Sequence, residues 1–128
     1  MTVVTLHHIS IVVTDLGAAK AFYGGVLGLR ELPRPAFDFE GAWYELGDRQ
    51  LHLIVHLPAR ALRGTREIDA RDAHFALRIA GFDEALARLQ SHGVPVRISR
   101  ENVTSWMQLH ITDPDGNVIE LNVERETA

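Results

Sequence analysis

Four short stretches of this chain alternate apolar and polar residues with a period of two, the pattern of half-buried strands. In the first, Ile9, Ile11 and Val13 oppose His8, Ser10 and Val12. In the second, Leu51, Leu53 and Val55 oppose His52, Ile54 and His56. In the third, Ala73, Phe75, Leu77 and Ile79 oppose His74, Ala76 and Arg78, and in the last, Ile119, Leu121 and Val123 oppose Val118, Glu120 and Asn122. The first and third are each followed by a helical pattern. From Leu16 to Leu27 the stripe is Ala19, Phe22, Tyr23 and Val26, with Gly28 as the stop; from Phe82 to His92 it is Phe82, Ala85, Leu86 and Leu89, ended by Gly93 and Pro95. Three β-like runs follow each helix. They are Arg30–Leu32 with Phe37–Phe39, Ala42–Leu46 and Gln50–Leu57 in the first half, and Val96–Ser99, Ser105–Thr112 and Val118–Glu124 in the second. Gly47-Asp48 and Asp113-Pro114-Asp115-Gly116-Asn117 supply turns before the last strand of each half.

The chain is therefore a repeat. His8 lies 66 residues before His74, and His52 lies 68 before Glu120. A single βαβββ unit leaves one sheet face uncovered, so two units are expected to pair. The predicted class is α+β: one domain over residues 1–128, built of two paired βαβββ modules (about 6–57 and 73–124) that form a curved mixed sheet. The linker, 58–72, carries Arg60, Arg63, Arg66 and Arg71 without periodicity and reads as a solvated crossover, with an anion-binding loop as the lesser alternative.

Composition narrows the chemistry. With 46% hydrophobic and 23% charged residues the chain fits a globular domain. A formal charge of −4 gives no general attraction to nucleic acid or acidic membranes. Cysteine is absent, which removes disulfides, thiol nucleophiles and thiolate ligands. No apolar run approaches the ~20 residues that span a bilayer, and the first residues lack a basic leader, so a soluble cytoplasmic protein is expected.

Each alternating strand carries an imidazole or carboxylate on the face turned away from its core. Burial alone does not require this. Glu120 interrupts the run Val118-Ile119-Leu121, where an unpaired buried carboxylate would cost several kcal/mol; a cation removes the objection. His8, His52, His74 and Glu120 are thus the candidate ligands of one divalent metal, and three imidazoles with a carboxylate suit Zn²⁺, Ni²⁺, Fe²⁺, Mn²⁺ or Co²⁺ better than Ca²⁺ or Mg²⁺.

The segments LHHISIVVTDLGAAKAFYGGVLGL, DAHFAL and DPDGNVIEL resemble those of the vicinal-oxygen-chelate superfamily, which includes glyoxalase I, extradiol dioxygenases, methylmalonyl-CoA epimerase, and fosfomycin- and bleomycin-resistance proteins. The likeness runs from Leu6 to about Val123 and implies a glyoxalase/dioxygenase-like fold. It places metal ligands on the first, fourth, fifth and eighth strands, at His8, His52, His74 and Glu120. His52 departs from bacterial glyoxalase I-like proteins, which have glutamate there. The triad His8, His74 and Glu120 fits the pattern of the dioxygenases. The resemblance implies a metal-dependent enzyme that chelates vicinal oxygens of a small substrate and assists proton transfer, of lyase or isomerase type; the alternatives are an Fe(II) extradiol-type dioxygenase and a non-catalytic binding or resistance protein.

Glu120, His56 and His110 are the candidate proton carriers. In the seventh strand Met107, Leu109 and Ile111 form the core face, so Trp106, Gln108 and His110 stand opposite. Trp106, Gln108, Ser10 and Arg78 are candidate substrate contacts. His7 is expected on the far face and His92 at a helix C-terminus. Exposed sheet edges predict a homodimer, with Trp43, Tyr44 and Phe37–Phe39 contributing buried surface.

Overall fold

The alternating segments form ladders where the period of two places them. A computed structural model describes residues 1–126; the last two residues of the expected 1–128 domain lie outside the described ones. Two compact units divide the chain, Met1–Leu62 and the part from Arg63 onward, so the boundary falls within the expected linker.

In the first unit β1 (His8–Val13) leads through α1 (Leu16–Lys20) and a π-helical segment (Ala21–Val26) to β2 (Glu31–Leu32), β3 (Gly41–Leu46) and β4 (Arg49–Val55). The sheet order is β1-β4-β3-β2, with β1 parallel to β4 and the other pairs antiparallel. Asp15 caps α1, its carboxylate accepting from the Ala18 amide at 2.9 Å. The π-turn, marked by the Leu27 amide donating to the Phe22 carbonyl at 2.9 Å, falls where Gly24 and Gly25 weaken the ordinary helical ladder. The core holds Val13, Ala19, Phe22, Tyr23, Ala42, Tyr44, Leu51 and Leu53, all buried. Tyr44 packs inside its own unit and offers no surface to a second copy, which corrects that part of the dimer expectation.

The second unit repeats the plan with β5 (His74–Arg78), α2 (Phe82–Ser91), β6 (Arg97–Ser99), β7 (Trp106–Thr112) and β8 (Val118–Glu124), in the order β5-β8-β7-β6. Phe82, Leu89, Leu109, Ile111, Val118, Ile119 and Leu121 are its buried apolar residues. His92 is the C-cap of α2, as expected.

Two sequence expectations change. Phe37–Phe39 forms no ladder, because Pro33 and Pro35 cannot donate to a neighbouring strand and the pairing of β2 stops at Leu32. Nor is the linker merely solvated. The Arg63 guanidinium, whose side chain is 12% exposed, pairs with Asp72 at 2.7 Å and donates to the Glu67 and Gly116 carbonyls at 2.9 and 2.6 Å. It ties residues 63–72 to the turn before β8.

Candidate metal and substrate site

In the first unit the parallel pairing of β1 with β4 sets Ser10 opposite His52, and β3 sets Trp43 on its other side. The rings form a stack. His8 and His52 lie 4.1 Å apart at 19°, and His52 and Trp43 4.2 Å apart at 5°. The His52 Nε2 meets Gln50 Oε1 at 2.8 Å; donating there leaves Nδ1 with the lone pair a metal needs. His52 is 8% exposed, and its pKa is lowered by burial first and then by His8, His7 and Arg34. The ring is therefore neutral at pH 7, the form that ligates metals. A cleft of about 370 Å³ opens over this stack, and His7, His8, Ser10 and Arg34 line it.

In the second unit β8 pairs with both β5 and β7, bringing Ala76 and His110 to either side of Glu120. Donor atoms of His74, His110 and Glu120 all lie within 4.8 Å of one another. Glu120 Oε1 is 3.3 Å from His110 Nε2 and 3.8 Å from His74 Nε2. It also accepts from Gln108 Nε2 at 3.0 Å, while Glu120 Oε2 accepts from Asn122 Nδ2 at 2.6 Å. Two amide donors thus fix a carboxylate that is 6% exposed, and Oε2, with one donor, keeps a lone pair. The His74 Nδ1 lies 2.7 Å from the Asp72 carbonyl, which can only accept, so Nδ1 is the donor and Nε2 is the atom turned toward Glu120. The pKa of His110 is lowered, by burial first and also by His74 and Arg97, against the raising influence of Glu120. The cluster offers two imidazoles and an oriented carboxylate, and this donor set fits a divalent transition metal.

The other sequence candidates are placed as follows. Gln108 holds Glu120 directly. Arg78 donates to Asn122 Oδ1 at 2.6 Å and pairs with Glu124 at 3.4 Å, so it braces Asn122 behind the carboxylate. The buried Trp106 Nε1 has no hydrogen-bond partner among the described residues. Ser10 is exposed beside His8 in the cleft. His56 is not brought there: β4 ends at Val55, the period of two lapses, and His56 is exposed in the following turn. His7 lines the cleft instead of the far face, its Nδ1 2.8 Å from His8 Nδ1, for the same reason, since β1 begins only at His8. Sequence reasoning missed Gln50 and Arg34. Arg34 had no periodic signal; Gln50 could have been found as the residue two before His52 on the same strand face.

Residues 5–121 match the family model described as the Glyoxalase/Bleomycin resistance protein/Dioxygenase superfamily. The chain belongs to this superfamily. It is 32% identical over 122 residues to the uncharacterized protein YaeR of Escherichia coli K12, an alignment covering 91% of this chain and 93% of YaeR. Its fold is similar to that of a glyoxalase family protein from Bacillus anthracis (TM-score 0.81, 22% identity, 98% of each chain). It is also similar to that of the fosfomycin resistance protein FosX from Listeria monocytogenes (TM-score 0.75, 19% identity, 97% of this chain and 96% of FosX). At these identities the two structures establish the fold and leave the reaction to the side chains. No helix among the described residues is long and apolar enough to cross a membrane.

Proposed function

We propose that this superfamily member is a metal-dependent enzyme of the glyoxalase-like class, a lyase or isomerase acting on a small substrate with vicinal oxygens. The observation that carries the reading is the buried Glu120 carboxylate, oriented by Gln108 and Asn122 beside two imidazoles. The proposed ligands are His8, His52, His74 and Glu120, holding Zn²⁺, Ni²⁺, Fe²⁺, Mn²⁺ or Co²⁺. When bound, such an ion would polarise the substrate's adjacent oxygens as a Lewis acid. The protein's own part is to position and to move a proton. His110, 3.3 Å from Glu120, is the proton carrier that the geometry favours, and His56, exposed after β4, is set aside. Trp106 and Ser10 are proposed to contact substrate, with Gln108 and Arg78 holding the carboxylate and its brace in place.

A second reading rests on the His74, His110 and Glu120 cluster itself, with His110 as a ligand in place of His8 and His52. The edge positions of β1 and β5 support a homodimer, and a cytoplasmic location belongs to the same reading.

Turnover with and without oxygen tests the class of reaction. Assays on 2-oxoaldehyde–thiol adducts should show anaerobic activity with several of the five metals, because polarising an oxygen needs no redox change. Activity confined to Fe(II) or Mn(II) with O₂ on a catechol panel would instead make the protein a dioxygenase. Ligand binding without turnover in either arm would make it a binding protein.

A further inference from the structure

The first-unit cleft holds a continuous ribbon of rings. It runs from His8 and His52 through Trp43 to Phe37, 6.2 Å from Trp43, and on to Phe39, 5.1 Å from Phe37 at 27°. Arg34 closes the far end, its guanidinium 4.8 Å and 5.0 Å from the Phe37 and Phe39 ring centroids. One of its amino groups donates to the Phe39 carbonyl at 2.9 Å. The ion pairs of the described residues leave Arg34 without a carboxylate partner. The lining includes three histidines and this arginine but no acid, in a chain whose formal charge is −4. Phe37 and Phe39 remain 46% and 40% exposed, so ring faces are open to a guest.

We infer that the cleft takes a planar, aromatic, anionic small molecule whose carboxylate or phosphonate is held by Arg34 while its ring lies along Phe37, Phe39 and Trp43. Guanidinium held over aromatic faces keeps its planar fork presented for bidentate contact with an oxyanion. A flat ring gains stacking contact on such a ribbon that a puckered ring of equal size does not. Arg34 is thus the specificity-determining residue, and its anion sits at the end of the ribbon away from His8 and His52. That last point places the substrate's reacting end at the proposed metal ligands and rests on the functional reading above. Recognition of the anion does not.

The test is calorimetric titration of the full chain, freed of metal by chelator and held at pH 8, above the ordinary titration range of imidazole. The probes are 2-naphthoate, 2-naphthylphosphonate, the neutral 2-naphthamide and the puckered decalin-2-carboxylate. At least one naphthyl anion should bind about tenfold more tightly than the amide and the decalin acid, the scale of one charge-assisted contact. The better of the two identifies the anion class. Arg34→Gln should bring that anion's affinity down to the amide's, and unchanged amide affinity will show that the cleft is intact. Equal affinity of anions and amide for the wild type, no binding of any probe, or an Arg34→Gln variant that still prefers the anion would overturn the inference. Metal content of Arg34→Gln should equal that of the wild type. A chain that binds no metal but keeps the anion preference would defeat the metal reading and leave this one standing.

Discussion

Glu120→Gln is expected to weaken divalent-metal binding by more than about 100-fold, beyond the 10- to 100-fold typical of losing a group that merely braces a ligand. Two effects act together. The substitution removes the only carboxylate in the cluster of His74, His110 and residue 120. It also replaces an acceptor with an amide whose N–H₂ must face Gln108 Nε2 or Asn122 Nδ2, both donors to Glu120 now. One donor is left unsatisfied in a buried place, so the metal-free protein should lose about 1–3 kcal/mol as well. Competition with a chelator of known affinity reads the first effect and urea unfolding the second. Glu45→Gln serves as the control. Glu45 pairs with Arg30 at 2.6 Å on an exposed surface, where such pairs contribute little. If Glu120→Gln held metal as tightly as the wild type, Glu120 would not be a ligand.

Gly116→Ala should be the most damaging glycine substitution, lowering stability by about 3 kcal/mol or more. Gly116 has φ +86°, a left-handed conformation that costs other residues about 1–2 kcal/mol. In addition, a Cβ there would overlap the Thr65 carbonyl oxygen, which is backbone and cannot swing aside. Relief of that overlap would pull the turn away from Arg63, whose guanidinium donates to the Gly116 carbonyl at 2.6 Å. Overpacking of this kind adds about 1–3 kcal/mol. Gly47→Ala provides the comparison, since Gly47 has φ +56° but open space around its Cα; it should cost only about 1 kcal/mol. Denaturation midpoints of the two variants decide the matter. The turn matters to the site because it feeds β8, two residues before Val118 and four before Glu120.

Much of this was readable from residue order because period-two alternation fixes a side chain's face wherever a ladder exists. Leu51 and Leu53 went to the core and His52 to the cleft; Ile119 and Leu121 went to the core and Glu120 to the cluster. The pairing of β7 with β8 then made His110 a neighbour of Glu120, as parity in the seventh strand had suggested. The same rule failed one residue beyond a strand. His7 and His56 were assigned faces by extending the alternation past His8 and Val55, where no ladder holds the backbone. Arg34 was invisible for a different reason. Its loop has two prolines and no repeat, so its position over Phe37 and Phe39 arises from tertiary packing alone. The π-turn at Ala21–Val26 was equally hidden, because its apolar spacing is that of an ordinary helix.

The proposed ligands of one divalent metal are His8, His52, His74 and Glu120. That assignment is tested most directly by elemental analysis of metal per chain in the wild type and in the His8→Ala, His52→Ala and His110→Ala variants. All are to be purified without added metal, then loaded and desalted. About one ion per chain is expected for the wild type and for His110→Ala, whose ring is proposed to move protons and not to hold the ion. His8→Ala and His52→Ala should lose most of theirs, since each removes one of the four donors expected of such a site. A wild-type chain that retains no stoichiometric metal, or full occupancy in His8→Ala and His52→Ala with loss in His110→Ala, would contradict it.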